Sequence, residues 1–206
     1  MSASQSILPK EHGVVALCEE VRLARGRAHE VQGAGADIFA LMTAARMQGP
    51  VMWAGRSVDA QTLAPTGLQD FIDPARVIVV SCVTRDEVLW TAEQALRSPG
   101  AACVIVDLDE GPDLKTSRRL QIAAEEGGGL GIILIKARAQ TSAAQTRWLC
   151  EPCSDGDALW VWRLIKDKGG RTGVWRVYQP NDHGRSNNGR SNCAPGLVLM
   201  AAASAA

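Results

Sequence analysis

The residues best spaced for chemistry are Gly33-Ala34-Gly35-Ala36-Asp37-Ile38-Phe39-Ala40, which follow the strand-like run His29 to Gln32 and open a helical pattern with Phe39, Met42, Ala45 and Arg46. A strand that runs through a glycine turn into a helix N-terminus is the usual cradle for a phosphate, because backbone amides and the helix dipole point at the ligand. Laid on the pattern G-x-x-x-x-G-K-S/T, only the first glycine matches. Ile38 stands where glycine lets the backbone approach, Phe39 where lysine reaches the phosphates, and Ala40 where a hydroxyl holds magnesium. Asp37 adds a carboxylate beside any bound phosphate, a like-charge contact. Gly33-x-Gly35 fails the dinucleotide fingerprint in the same way, since Ile38 occupies its third glycine position. Asp107 ends the apolar run Cys103 to Asp107, where an acid in nucleotide-hydrolysing folds holds magnesium. With the lysine and hydroxyl gone it has little to cooperate with, and together with Asp109, Glu110 and Asp113 it reads as an exposed acidic loop.

Other constellations are thinner. His12, His29 and His183 fall on a terminus, a strand edge and the tail, which leaves a triad or zinc cluster without a base or ligands. Cys150 and Cys153 make a single close pair with no second pair nearby, so the six cysteines read as ordinary thiols. The tryptophans are more informative. Trp148, Trp160, Trp162 and Trp175 interleave with Arg147, Arg163 and Arg176 on strand-like segments. Such a pattern serves a nucleic-acid stacking platform, a protein interface, or a sheet packed on helices with arginine stems over the indoles.

The elements that must position these residues alternate between strand and helix, the signature of a mostly parallel α/β sheet. Val51 to Ala54 is the second strand, after Pro50. Val77 to Cys82 is a β-branched run without alternation, expected as a central strand covered on both faces. Thr84 and Glu87 form a capping box for the helix with Leu89, Ala92 and Leu96 on its apolar face, ended by Ser98-Pro99-Gly100. The next helix, 114 to 126, buries Leu120, Ala123 and Ala124 and presents Arg118 and Arg119 to solvent. Gly127-Gly128-Gly129 breaks it before the strand Gly131 to Ile135. Trp148 to Cys153, Leu159 to Ile165 and Gly173 to Tyr178 are spaced as three antiparallel strands, with Lys168-Gly169-Gly170-Arg171 as a hairpin turn. The stretch 179–206, with its Asn, Ser and Ala runs, reads as a disordered tail in which Leu197 to Met200 is a short apolar docking motif.

The 206 residues suffice for one domain with its own core, and 46% hydrophobic with 21% charged residues exclude a wholly disordered chain. No apolar run approaches the roughly 18 residues of a membrane span, the Gly131 to Ile135 run being stopped by Lys136. The N-terminus lacks the pattern of a secretory leader, so the expectation is a soluble protein of the reducing cytoplasm. The net charge of zero hides an asymmetry: residues 1–113 carry 9 Lys+Arg against 15 Asp+Glu, and residues 114–190 carry 13 against 7. The basic part reads as a solvated surface or as a face for an acidic partner or nucleic acid.

In sequence order these segments resemble a RecA core without its ATPase, and specifically the ImuA family of bacterial mutagenesis cassettes. The resemblance rests on Ala28-His29-Glu30-Val31-Gln32-Gly33 with Phe39, on Gly49-Pro50-Val51-Met52-Trp53, on Gly67-Leu68 and on Asp73-Pro74-Ala75-Arg76-Val77. It continues through Leu89-Trp90-Thr91-Ala92-Glu93-Gln94-Ala95-Leu96-Arg97, Thr116-Ser117-Arg118-Arg119-Leu120-Gln121-Ile122-Ala123-Ala124-Glu125 and Ala143-Ala144-Gln145-Thr146-Arg147-Trp148. Trp162-Arg163-Leu164, Lys168-Gly169-Gly170-Arg171 and Trp175 complete it.

The resemblance implies an N-terminal segment 1–27, a RecA-like core 28–178 with helices on both faces and C-terminal antiparallel strands, and a tail 179–206. A missing P-loop lysine is typical of that family. It implies a non-catalytic accessory of damage-induced (SOS) translesion synthesis, cytoplasmic and nucleoid-associated under DNA damage, with no cofactor. The implied partners are an ImuB-type Y-family-like protein, RecA and an error-prone polymerase, with weak DNA contact and no membrane. Arg118, Arg119, Arg147, Arg163, Arg171, Trp148 and Trp162 are the expected partner or DNA surface. The competing readings are an ATP-dependent recombinase-like motor, a cell-division inhibitor of the SulA kind, and a direct DNA-binding module.

Overall fold

A computed structural model describes residues 12–56, 65–154, 158–178, 191–194 and 197–201. A short antiparallel ribbon, β1 (Val14–Ala16) and β2 (Arg22–Ala24), precedes the main sheet. The chain then runs β3 (Arg27–Gln32), α1 (Ala36–Ala45), β4 (Val51–Gly55), α2 (Pro65–Leu68), a 3-10 turn (Pro74–Arg76), β5 (Val77–Ser81) and α3 (Arg85–Arg97). It continues with β6 (Cys103–Leu108), α4 (Leu114–Gly127), β7 (Leu130–Ile135), β8 (Thr146–Pro152), β9 (Ala158–Asp167) and β10 (Gly173–Tyr178). Last come β11 (Ser191–Ala194) and β12 (Leu197–Ala201).

Ten of these strands form one sheet in the order β11-β12-β10-β9-β8-β3-β7-β6-β4-β5. The six from β8 to β5 are parallel, and β9, β10, β12 and β11 each join antiparallel. The class expected from the sequence is therefore present: a mostly parallel sheet, helices on both faces and an antiparallel C-terminal arm, an arrangement consistent with a RecA-like core.

Alternation along the central strands divides the interior in two. Cys103 and Ile105 of β6, with Leu130, Ile132 and Leu134 of β7, pack under α1 through Phe39, Met42 and Ala44. Val104, Val106, Ile133 and Ile135 point the other way, onto Val88, Ala92 and Leu96 of α3 and Leu120, Ala123 and Ala124 of α4. Helices α3 and α4 start at side-chain caps. Thr84 accepts from the Glu87 amide while the Glu87 carboxylate accepts from the Thr84 amide, the full capping box. Asp113 accepts from the Thr116 amide at 2.7 Å to start α4, and Gly128 at φ 76° closes it in the left-handed conformation.

Several sequence expectations need correction. Val77–Ser81 is the edge strand beyond β4, with Ile78 and Val79 exposed, because a β-branched run reports strand character and says nothing of position in the sheet. The first of the three C-terminal strands, β8, is parallel to β3 and antiparallel only to β9. The segment expected to be disordered contains β11 and β12, the latter paired along β10. His29 sits at the centre of the sheet and is fully buried.

Candidate functional site at the strand ends

The glycine turn at the carboxyl end of β3 is filled by its own chain. Gly33 adopts φ +89°, and a Cβ there would overlap the Cys150 carbonyl of β8. The Gly35 amide donates to that same Cys150 carbonyl at 3.0 Å, and a Cβ on Gly35 would strike the Trp160 ring. The Ala36 amide donates to the Gly33 carbonyl at 3.1 Å and the Phe39 amide to the Gly35 carbonyl at 3.1 Å. The Gly35, Ala36 and Phe39 amides of this turn thus have protein acceptors already.

Phe39, at the place of the phosphate-binding lysine, turns inward. It is fully buried, with its ring centroid 4.8 Å from Trp162, edge-on, and 5.2 Å from Trp148, which lies 5.3 Å from Trp175. Full burial of such a side chain stabilises by about 2–3 kcal/mol, and aromatic pairing adds to it. Phe39 is therefore a core anchor, and Ile38 packs at its margin.

Beside this turn, charged groups from three parallel strand ends and α1 meet. Lys136, just past β7, donates to the Asp107 carboxylate of β6 at 2.9 Å. That bond, more than any other contribution, raises the Lys136 pKa. Asp37, in the first turn of α1, keeps solvent access; the protein packed around it and the Asp107 charge raise its pKa against the pull of Lys136. The other Asp107 oxygen, Oδ1, is buried without a hydrogen-bond partner. The open cleft here, about 370 Å³, is lined by Arg56, Arg85, Asp107, Leu108, Asp109, Glu110 and Lys136. Arg56 pairs with Asp109 at 3.4 Å, and Arg85 is committed to the carbonyls of Glu110 and Gly111.

Asp107 is thus no exposed loop acid; it is held inward by a lysine from the neighbouring strand. Sequence reasoning missed Lys136 as a site residue. Its signal was present: the first charged residue after a strand, at the same carboxyl edge as Asp107. Among the described residues no three His, Cys, Asp or Glu side chains are placed to hold a metal ion.

The expected partner surface is only partly a surface. Trp148 and Trp162 are 1% and 0% exposed and form the core beneath α1. Arg147 is drawn inward by Glu30 of β3, whose carboxylate it binds through Nε at 2.7 Å and Nη2 at 2.6 Å. Arg163 pairs with Glu151, and Arg171 with Asp167 at 2.6 Å. Arg118 and Arg119 are exposed on α4 as expected; Arg119 bonds Glu93 of α3, while Arg118 has no ion pair among the described residues. Arg118 and Arg119 thus share α4's outward side, whereas Arg163 and Arg171 belong to the antiparallel arm.

The β3–β8 seam carries a second polar cluster that spacing could not show. Trp148 Nε1 donates to Thr146 Oγ1 at 2.9 Å, Thr146 donates to His29 Nδ1 at 2.7 Å, and His29 Nε2 donates to the Ala24 carbonyl at 2.9 Å. The carbonyl only accepts, so the network fixes the proton on Nε2. Burial pushes the His29 pKa down to about 4, so the ring is neutral at physiological pH.

These features describe a class: an α/β domain, consistent with a RecA-like core, whose glycine turn after β3 is filled by its own chain beside a buried aromatic anchor. Within it, the chain is 33% identical over 150 residues to Protein ImuA of Caulobacter vibrioides, in two strains of that organism. The match covers 63% of this chain and 60% of those relatives, so it spans less than two thirds of their length. It supports ImuA family membership. No family model matches the chain.

Proposed function

We propose that the chain is a non-catalytic accessory of damage-induced translesion DNA synthesis and mutagenesis. It acts by protein contacts with an ImuB-type polymerase-like protein, with RecA, or with both. The observation that carries the reading is the closed glycine turn: Gly35 and Ala36 amides are taken by protein carbonyls and Phe39 is buried where a lysine would serve a phosphate. The similarity to Protein ImuA points the same way. On this reading contact surfaces are the means of action, and the Arg118 side of α4 is the first to examine.

The test is capture of the tagged chain from DNA-damaged cells of its source with crosslinking, beside damage-induced mutation counts in a deletion strain. Recovery of a Y-family-like protein or RecA, with mutation falling on deletion, is expected. Recovery of a tubulin-like division protein, with filamentation on overexpression, moves the function to the cell-division reading. Salt-sensitive DNA binding lost in Arg118→Ala and Arg119→Ala marks direct DNA contact.

A further inference from the structure

Among the described residues, strand β5 ends the sheet without the devices that usually protect an edge. Among the described residues no strand pairs with its outer side, and Val77-Ile78-Val79-Val80-Ser81 holds no charge, no proline and no register shift against β4. Ile78 is 49% exposed and Val79 39%, on opposite faces, and Val83 just beyond is 80% exposed. The one flanking base, Arg76, does not guard the edge: its guanidinium is turned back onto the carbonyls of Gly49 and Met47.

We propose that β5 pairs antiparallel with β5 of a second copy of this chain about a two-fold axis at Val79, joining two sheets edge to edge. The sequence of the strand selects this occupant. A two-fold centred on Val79 sets Val79 against itself on one face and Ile78 against Val80 on the other, leaving Val77 opposite Ser81. Every central cross-strand pair is β-branched and apolar, the kind that stabilises adjacent strands, and no like charges meet. The contact is isologous and closes at two copies, so it yields a dimer and no fibre. It is independent of the accessory reading above, and neither depends on the other.

The test is sedimentation of the full chain over a concentration series, for the wild type, Val79→Lys, Val79→Glu and an equimolar mixture of the two variants. The wild type is expected to dimerise reversibly. Each variant alone places like charges across the axis, and its dimerisation should weaken by about tenfold or more. The mixture sets Lys against Glu and should restore the dimer, an outcome that misfolded variants would not give. A wild type that stays monomeric, variants that dimerise like the wild type, or a mixture that stays monomeric overturns the proposal.

Discussion

Two polar clusters lie in the parallel part of the sheet, and they are built to opposite ends. At the β3–β8 seam, His29, Glu30, Thr146, Arg147 and Trp148 are withdrawn from water and bonded to one another and to Ala24, Gln140 and Ser142, with Glu30 Oε1 buried without a partner. At the carboxyl ends of the strands, Asp107 and Lys136 line a cleft that stays open, with the Asp37 charge acting on both. The seam replaces solvent with fixed partners, so its groups matter through stability. Of the strand-end groups Asp37 and Lys136 keep solvent as an alternative, so removing either costs less and changes mainly the local charge, while Asp107 is held inward. Beside the cleft Phe39 is a core anchor, and the Lys136–Asp107 pair ties two neighbouring strand ends together.

The largest effect should come from the seam. Arg147→Met leaves the fully buried Glu30 without its cation and should lower unfolding free energy by about 3–5 kcal/mol in urea melts, with much of the loss recovered in Glu30→Leu/Arg147→Met. A loss below about 1 kcal/mol would place Glu30 with the strand-end groups instead.

The second effect is a pH dependence. His29 has a folded pKa of about 4, below the 6.5 of a free imidazole, so the unfolded chain takes up its proton first. Stability from this group is whole above pH 6.5 and falls as the pH drops toward 4, by about 3 kcal/mol in total. Urea midpoints between pH 7 and 4.5 read that slope, and His29→Asn should flatten it.

Smaller effects sharpen the contrast at the turn and beyond it. Gly33→Ala forces a side chain into a left-handed residue against the Cys150 carbonyl and should cost about 1–3 kcal/mol. Thr84→Ala removes one half of the α3 capping box and should cost about 1 kcal/mol. Lys136→Met should cost about 1 kcal/mol or less, since its amine is 60% exposed, yet raise the Asp37 pKa further by removing the cation that opposes the shift. NMR titration of the Asp37 carboxyl reads that change, and a fall in its pKa would contradict the arrangement.

Much of this was legible in the residues. The β3 turn and α1, the capping box at Thr84, the helix ending at Gly128 and the strand ending at Asp107 each carry local signals, and each is present. What local signals do not carry is order in the sheet. Val77–Ser81 has a buried strand's composition at an edge, and β1 and β2 have only three residues each, too few for a period to show. Nor could spacing join groups 117 residues apart, the separation of Glu30 from Arg147 and of His29 from Thr146. The alternating Trp and Arg residues looked equally suited to a surface or a core; Phe39, read as a defect in a phosphate loop, decided the matter by anchoring Trp148 and Trp162 beneath α1.

The most direct test of the central claim, that the strand-end corner is closed to phosphate by its own chain, is calorimetric titration of the purified full chain with Mg-ATP at neutral pH. The account predicts no saturable heat and no turnover above background. Saturable binding that weakens in Asp107→Asn or Gly33→Ala would contradict it and return the corner to nucleotide chemistry.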